Sequence, residues 1–322
     1  MLLLIIKFIF GVVAVLSGAD WLTEGASAIA RKLKVSSMII GLTVVAFGTS
    51  MPELVVSTIA SIQGNSDMAI GNVVGSNIFN TLAIVGCTAL MCPVVCKRNS
   101  ILYEMPINIF VSVLFLLFVA ECSMGGVTID RIEGVILLLC FACFLAYTLI
   151  MAKKDRKSAD SDNQQSKESG SMIKAVILVL GGLACLILGG EFLVNGASGI
   201  ARTLGVSDSV VALTIVAAGT SFPELATSVM AARKGDIDMA LGNVVGSNIF
   251  NILLILGVSS TISPLQIGTI TNVDYAFLLG SCVVLWIFAF IGKRKVINRV
   301  EGGFLVVCMI AYYVWLVYNS QS

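Results

Sequence analysis

The chain has 322 residues, 57% of them hydrophobic and only 12% charged, with a mean hydropathy of +0.99 and a formal net charge of +1. A soluble globular domain of this length does not have that composition, so the chain reads as a membrane protein. It contains no histidine, which excludes imidazole metal ligands, imidazole proton relays and Ser-His nucleophile pairs.

A membrane-crossing helix needs roughly 20 mostly apolar residues. In chain order such runs predict ten spans, near 2–28, 36–61, 67–91, 101–120, 131–151, 173–200, 207–231, 238–262, 274–291 and 299–317. The first is read as a span, not a signal peptide, because it takes part in the internal repeat described next. The nine cysteines lie mostly inside or at the ends of spans and are read as apolar packing; a metal pair at Cys92 and Cys96 is the disfavoured alternative. Numbering the connections alternately by side places 17 Lys and Arg on one side, from Arg31 to Arg299. Only Lys7, Arg131 and Arg202 fall on the other. The positive-inside rule then puts the first side in the cytoplasm and both termini outside it, as in a multi-pass inner-membrane protein embedded in the lipid bilayer.

The chain also aligns with itself at an offset of 171, without gaps, from about Ser17 to Leu90. "GADWLTEGASAIAR" (18–31) matches "GGEFLVNGASGIAR" (189–202), and "GNVVGSNIFN" occurs identically at 71–80 and 242–251. Duplication is the source. Five spans per unit is an odd number, so the second copy starts from the opposite side of the membrane. The expected architecture is therefore all-α and polytopic: ten transmembrane helices as two inverted five-helix repeats, with helices 2 and 7 broken. Its parts are a first repeat (1–152), a flexible cytoplasmic linker (153–172) rich in Ser, Lys and Asp, and a second repeat (173–322).

"GTSMPE" (48–53) and "GTSFPE" (219–224) interrupt the apolar runs of spans 2 and 7. Glu53 and Glu224 lie about 15 residues into their spans, with no Lys or Arg at comparable depth. An intramembrane carboxylate is costly and marks an ion pathway or a paired charge. The missing counter-charge is then a bound cation, a proton, or both. Pro52 and Pro223 remove a backbone donor, and Gly48 and Gly219 permit unusual backbone, so each helix should break between its glycine and its proline. Freed carbonyls, the hydroxyls of Thr49, Ser50, Thr220 and Ser221, and the two carboxylates are hard oxygen donors of the kind that suit Ca²⁺ and Na⁺. Ser76 and Asn80 are one turn apart on one face, as are Ser247 and Asn251. Gly71 and Gly75, like Gly242 and Gly246, are spaced for close helix approach, predicting tight hairpins of spans 2 with 3 and 7 with 8. Each element alone has a structural reading, as a kink, interhelical glue or packing. Their joint recurrence in both halves favours a site. Asp20, Glu24 and Glu191 differ between the copies and are expected in solvated or helix-end roles.

These motifs resemble the paired alpha-repeats of the calcium/cation antiporter family, the sodium/calcium exchangers and their prokaryotic relatives, over essentially the whole chain. The resemblance implies Glu53 and Glu224 as the main Ca²⁺ ligands, completed by the carbonyls of Thr49 and Thr220. It implies Na⁺ sites from Ser50, Ser221, Ser76 and Ser247 with the carbonyls of Ala46 and Ala217. Asn80 and Asn251 would sit at the middle of the cluster. Some members carry Asp at one of those two positions; this chain has Asn at both, leaving two formal negative charges.

The resulting expectation is a secondary antiporter, not an enzyme. It would exchange Ca²⁺ for Na⁺ by alternating access, with no cofactor beyond the transported ions and no nucleic-acid partner. Relatives couple to Na⁺, to Na⁺ with K⁺, or to H⁺, so a proton-coupled antiporter is the nearest alternative. A cation channel and an intramembrane hydrolase are the rivals from other classes; the latter lacks a base.

Overall fold

The computed structural model describes residues 1–125, 128–161, 171–205, 217–268, 270–291 and 295–319. The helices are α1 (Leu2–Leu33), α2 (Ser37–Thr49), α3 (Met51–Ile62), α4 (Ser66–Met91), α5 (Met105–Gly125, led in by a π-helical turn at Ser100–Glu104) and α6 (Arg131–Ser161). The second half supplies α7 (Met172–Thr203), α8 (Ala217–Gly219), α9 (Phe222–Arg233), α10 (Ile237–Ile262), α11 (Asn272–Ile291) and α12 (Arg299–Asn319). Among the described residues eight helices are long and apolar enough to cross a membrane, or nine if the bent pair α2–α3 counts as one span. The first ten residues of the predicted seventh span lie outside the described residues.

α1 and α7 are 32 residues each. At 1.5 Å per residue that is ~48 Å, well beyond a ~30 Å hydrocarbon core, so both cross at a steep tilt or protrude. They pack along a glycine seam, with Gly11, Gly18 and Gly25 on one and Gly182, Gly189 and Gly196 on the other. A Cβ on Gly182 would lie 2.6 Å from the Leu22 nitrogen, and one on Gly11 would run into the Leu193 nitrogen. Only bare backbone permits this approach.

The hairpins α3–α4 and α9–α10 turn at Gly64 and Gly235, both at positive φ (73° and 83°). The next residue caps the following helix: the Asn65 side chain accepts from Met68 N, and Asp236 from Met239 N. The tight approach of Gly242 and Gly246, however, is made across the halves and not within the hairpin. A Cβ on Gly242 would meet the Met38 carbonyl at 2.6 Å, and one on Gly246 would meet Leu42 Cα at 2.8 Å. Both contacts are with α2, and the hairpin partner α9 packs elsewhere on α10. Among the described residues, a Cβ on Gly71 would meet only Ile270 Cδ1, at 3.6 Å, and one on Gly75 would meet nothing within 4 Å.

Two short antiparallel pairings tie loops of opposite halves together. β1 (Val94–Val95) pairs with β4 (Val296–Ile297), and β2 (Thr128–Ile129) with β3 (Leu265–Gln266). The linker also differs from expectation: α6 runs on to Ser161, nine residues into the segment 153–172. Lys, Arg and Ala there form helix readily, and no Gly or Pro stops them before Gly170. Residues 162–170 lie outside the described residues. The acids of the long helices behave as expected: Glu24 and Glu191 are exposed, and Asp20 pairs with Lys234 at 2.7 Å.

Candidate functional site

The bend falls where the sequence places it. α2 and α3 meet at 47° across Ser50, whose φ and ψ of −84° and 6° are neither helical nor extended, and Pro52 opens α3. Ser221 (−91°, 4°) and Pro223 repeat this before α9. At the first break Ser50 N still bonds the Ala46 carbonyl (3.0 Å), and Leu54 N bonds that of Ser50 (3.1 Å). Gly48 loses its helical donor because Pro52 has no N–H. The Ala46 carbonyl, a Na⁺ ligand in the family resemblance, accepts a helical bond, and Thr49 Oγ1 lies 3.4 Å from it as well. The proline sits two residues too late to release it. In the second half Ser221 N turns instead to the Ala218 carbonyl (3.2 Å), so Ala217 does not receive the equivalent bond.

The two breaks face each other. Glu53 is 0% exposed and Glu224 1%. Ser50 Oγ donates to Glu224 Oε1 (3.1 Å), and Ser221 Oγ donates to Glu53 Oε1 (3.2 Å). Thr49 Oγ1 donates to Asn243 Oδ1 (3.2 Å), and Thr220 Oγ1, half-buried, reaches Asn72 Oδ1 at 3.5 Å. Asn72 Nδ2 in turn donates to the Glu53 carbonyl (3.2 Å) and Ser57 Oγ (2.9 Å). Asn243 does the same to Glu224 (3.3 Å) and Ser228 (2.9 Å). Beside them Asn251 Nδ2 donates to Asn77 Oδ1 (2.9 Å), Asn77 Nδ2 to the Asn248 carbonyl (3.1 Å) and Asn248 Nδ2 to Thr81 Oγ1 (2.8 Å).

Several oxygens have no protein partner. Glu53 Oε2, Glu224 Oε2, Ser76 Oγ, Ser247 Oγ, Asn80 Oδ1 and Asn251 Oδ1 are buried with no hydrogen-bond partner. A buried polar group left unsatisfied costs about 1–3 kcal/mol, more if charged. These six, two carboxylate, two hydroxyl and two amide oxygens, lie on residues singled out from the sequence and are of the types a hard cation takes; Asn248 Oδ1 and Thr227 Oγ1 are unpartnered as well. No group of three acidic, thiol or imidazole ligands converges among the described residues.

The sequence reading passed over Asn72, Asn243, Ser57 and Ser228, which fix the carboxylate-bearing backbone. Their signal was present. Asn72, Ser76 and Asn80 recur every four residues and share one face, as do Asn243, Ser247 and Asn251. Asn80 and Asn251 each open a π-helical stretch (Asn80–Ile84 and Asn251–Leu256), a distortion common at functional sites.

The profile of the sodium/calcium exchanger protein family matches residues 3–150 and 174–318. The chain belongs to that family. It is 40% identical to the putative antiporter CaxA of Alkalimonas amylolytica over 99% of this chain and 100% of the relative. It is 36% identical to the sodium/calcium exchanger MaX1 of Methanosarcina acetivorans over 96% and 97%. Among solved structures, the sodium-calcium exchanger NCX_Mj, soaked with Na⁺ and Ca²⁺, superposes with a TM-score of 0.80 at 32% identity, covering 99% of this chain and 98% of that one. The family is one of membrane transporters, and the fold is the all-helical fold of NCX_Mj.

Proposed function

We propose that this exchanger-family chain expels Ca²⁺ in exchange for Na⁺ by alternating access, with Glu53 and Glu224 as the shared cation ligands. The observation that carries this reading is the pair of sealed carboxylates, each with one oxygen held by a serine of the other half and one oxygen unpartnered. The carbonyls of Thr49 and Thr220, the hydroxyls of Ser50, Ser221, Ser76 and Ser247, and the amide oxygens of Asn80 and Asn251 complete the competing Ca²⁺ and Na⁺ positions, with the Ala217 carbonyl beside them. Ala46 contributes only through the free lone pair of its engaged carbonyl. Two carboxylates balance one Ca²⁺ or two Na⁺. An empty site would carry bare charge at bilayer depth, which is costly, and that cost enforces exchange over uncoupled return.

The proposed frame is ten spans in two inverted five-helix repeats, 1–152 and 173–322, joined at 153–172 on the cytoplasmic side with both termini outside. The strand pairings support it. Alternation puts the loops that carry β1 and β4 on the lysine-rich side and those that carry β2 and β3 on the other, and the pairs form accordingly. The test is Ca²⁺ uptake into Na⁺-loaded proteoliposomes with external Na⁺ replaced by choline. Uptake that requires the Na⁺ gradient supports the reading. Uptake that ignores Na⁺ and follows a pH gradient replaces Na⁺ by H⁺ as the coupling ion.

A further inference from the structure

A second group of oxygen donors lies on the lysine-rich side, apart from the carboxylates of the two breaks. A cavity of about 200 Å³ is lined there by Ser36 and Met38 at the start of α2, Asn99, Ser100 and Glu104 at the entry to α5, and Tyr147, Thr148 and Asp155 of α6. Glu104 is 4% exposed. Tyr147 Oη donates to its Oε1 at 3.0 Å, and its Oε2 is buried with no partner. Asp155 lies within electrostatic reach of Glu104, and its Oδ2 accepts from Ser36 N at 3.0 Å. Lys97 also reaches the wall, but its ammonium is paired with Asp238.

The matching turn of the second half shows that this arrangement is not needed to start a helix. There Asp274, also buried, is fully satisfied: Thr271 N and Oγ1 donate to Oδ2 (2.7 and 2.8 Å), and Tyr312 Oη donates to Oδ1 (2.7 Å). Glu104 has instead an unused oxygen, a second carboxylate nearby and open volume. A water's share of liquid volume is about 30 Å³, so the cavity has room for an ion with several of its waters.

We infer that the Glu104–Asp155 cavity binds a partly hydrated divalent cation, separate from the transported ions. Glu104 and Asp155 supply the charge, while Tyr147 and the neighbouring hydroxyls and amide supply neutral oxygens or hold the ion's waters. Only two acids converge, so the shell is completed by water and the affinity is modest, with a dissociation constant on the order of 1 mM, as for weak calcium modules. The ion would tie α5 and α6 to the residue that starts α2, the helix that ends at Thr49.

The test uses the full chain with Glu53→Gln and Glu224→Gln, purified in detergent, with ⁴⁵Ca²⁺ equilibrium dialysis and thermal melting at fixed Na⁺. One Ca²⁺ should remain bound per chain, and Ca²⁺ should raise the melting temperature. Adding Glu104→Gln should abolish both effects. Asp155→Asn, which keeps the acceptor for Ser36 N, should weaken binding about tenfold or more, the loss of one charge contact. Absence of binding in the starting variant overturns the inference, as does binding that survives Glu104→Gln. If the Glu104→Gln chain is not recovered, unchanged binding in Asp155→Asn overturns it alone. Loss of one of the two bound Ca²⁺ through Glu104→Gln in an otherwise unaltered chain, with the Na⁺-driven flux retained, would separate this site from the transport site.

Discussion

Replacing Glu224 by Gln removes one charge and almost no volume. The Gln carbonyl oxygen can still accept from Ser50 Oγ, which lies 3.1 Å from Glu224 Oε1. The unpartnered Oε2 becomes an amide donor, the wrong polarity for a cation. Unit charges 4 Å apart at an effective dielectric of ~20 attract by ~4 kcal/mol, and a divalent ion doubles this to ~8 kcal/mol. Even if ion hydration returns half, the remaining ~4 kcal/mol is about 10³-fold in affinity. Stability should move the other way, because a buried charge without a counter-ion is removed. The expected signature is therefore Ca²⁺ uptake lost in proteoliposomes, with an apo melting temperature equal to or above that of the parent. Ca²⁺ flux within tenfold of the parent would refute the site. A large fall in melting temperature would show that Glu224 is a structural acceptor instead.

The remaining expectations concern the scaffold. Gly182→Val should push α1 and α7 apart, since its Cβ alone would lie 2.6 Å from Leu22 N; overpacking of this kind costs about 1–3 kcal/mol, read as a lower melting temperature together with slowed exchange. Asn243→Ala should cost about 2–3 kcal/mol, because two donated bonds disappear and Ser228 Oγ is stranded in a buried place; thermal melting checks it. Lys234→Gln should change stability by less than about 1 kcal/mol, as its pair with Asp20 is partly exposed, and any effect on transport should fade at high salt. Cysteines at Val95 and Val296, which are register partners, should oxidise to a disulfide in a background without the native cysteines. Failure to cross-link would break the assignment of those loops to one side.

Much of the site was legible because the chain states it twice. The offset of 171 separated the positions that recur from those that drift, so Glu53, Glu224, Ser76, Asn80 and their counterparts stood out. What periodicity does not reveal is which helix faces a given stripe. Gly242 and Gly246 announce a close approach, and the sequence neighbour is the natural guess, yet they lie against Met38 and Leu42 of the other half. Which carbonyls a break frees is hidden for a related reason. A proline at 52 frees the carbonyl four residues before it, at Gly48, whereas Ala46 keeps its bond from Ser50. Asn72 and Asn243 were visible as residues but not as braces, because their partners, Ser57 and Ser228, lie across a hairpin whose register no spacing fixes.

The partners at the site are exchanged between halves, and this bears on mechanism. Glu53 sits on α3 but is held by Ser221 of the opposite half, and Glu224 sits on α9 but is held by Ser50. Thr49 reaches Asn243, and Thr220 approaches Asn72. Under the proposed exchange, a shift of one half against the other would disturb both carboxylates at once, and a cation held between them would bridge the halves against that shift. The glycine seam brings the α1 and α7 backbones into contact, with Gly182 against the Leu22 nitrogen and Gly18 against the Gly182 carbonyl and Cys185 Cβ, while Phe10 and Phe192 pack edge to face across it at 5.2 Å.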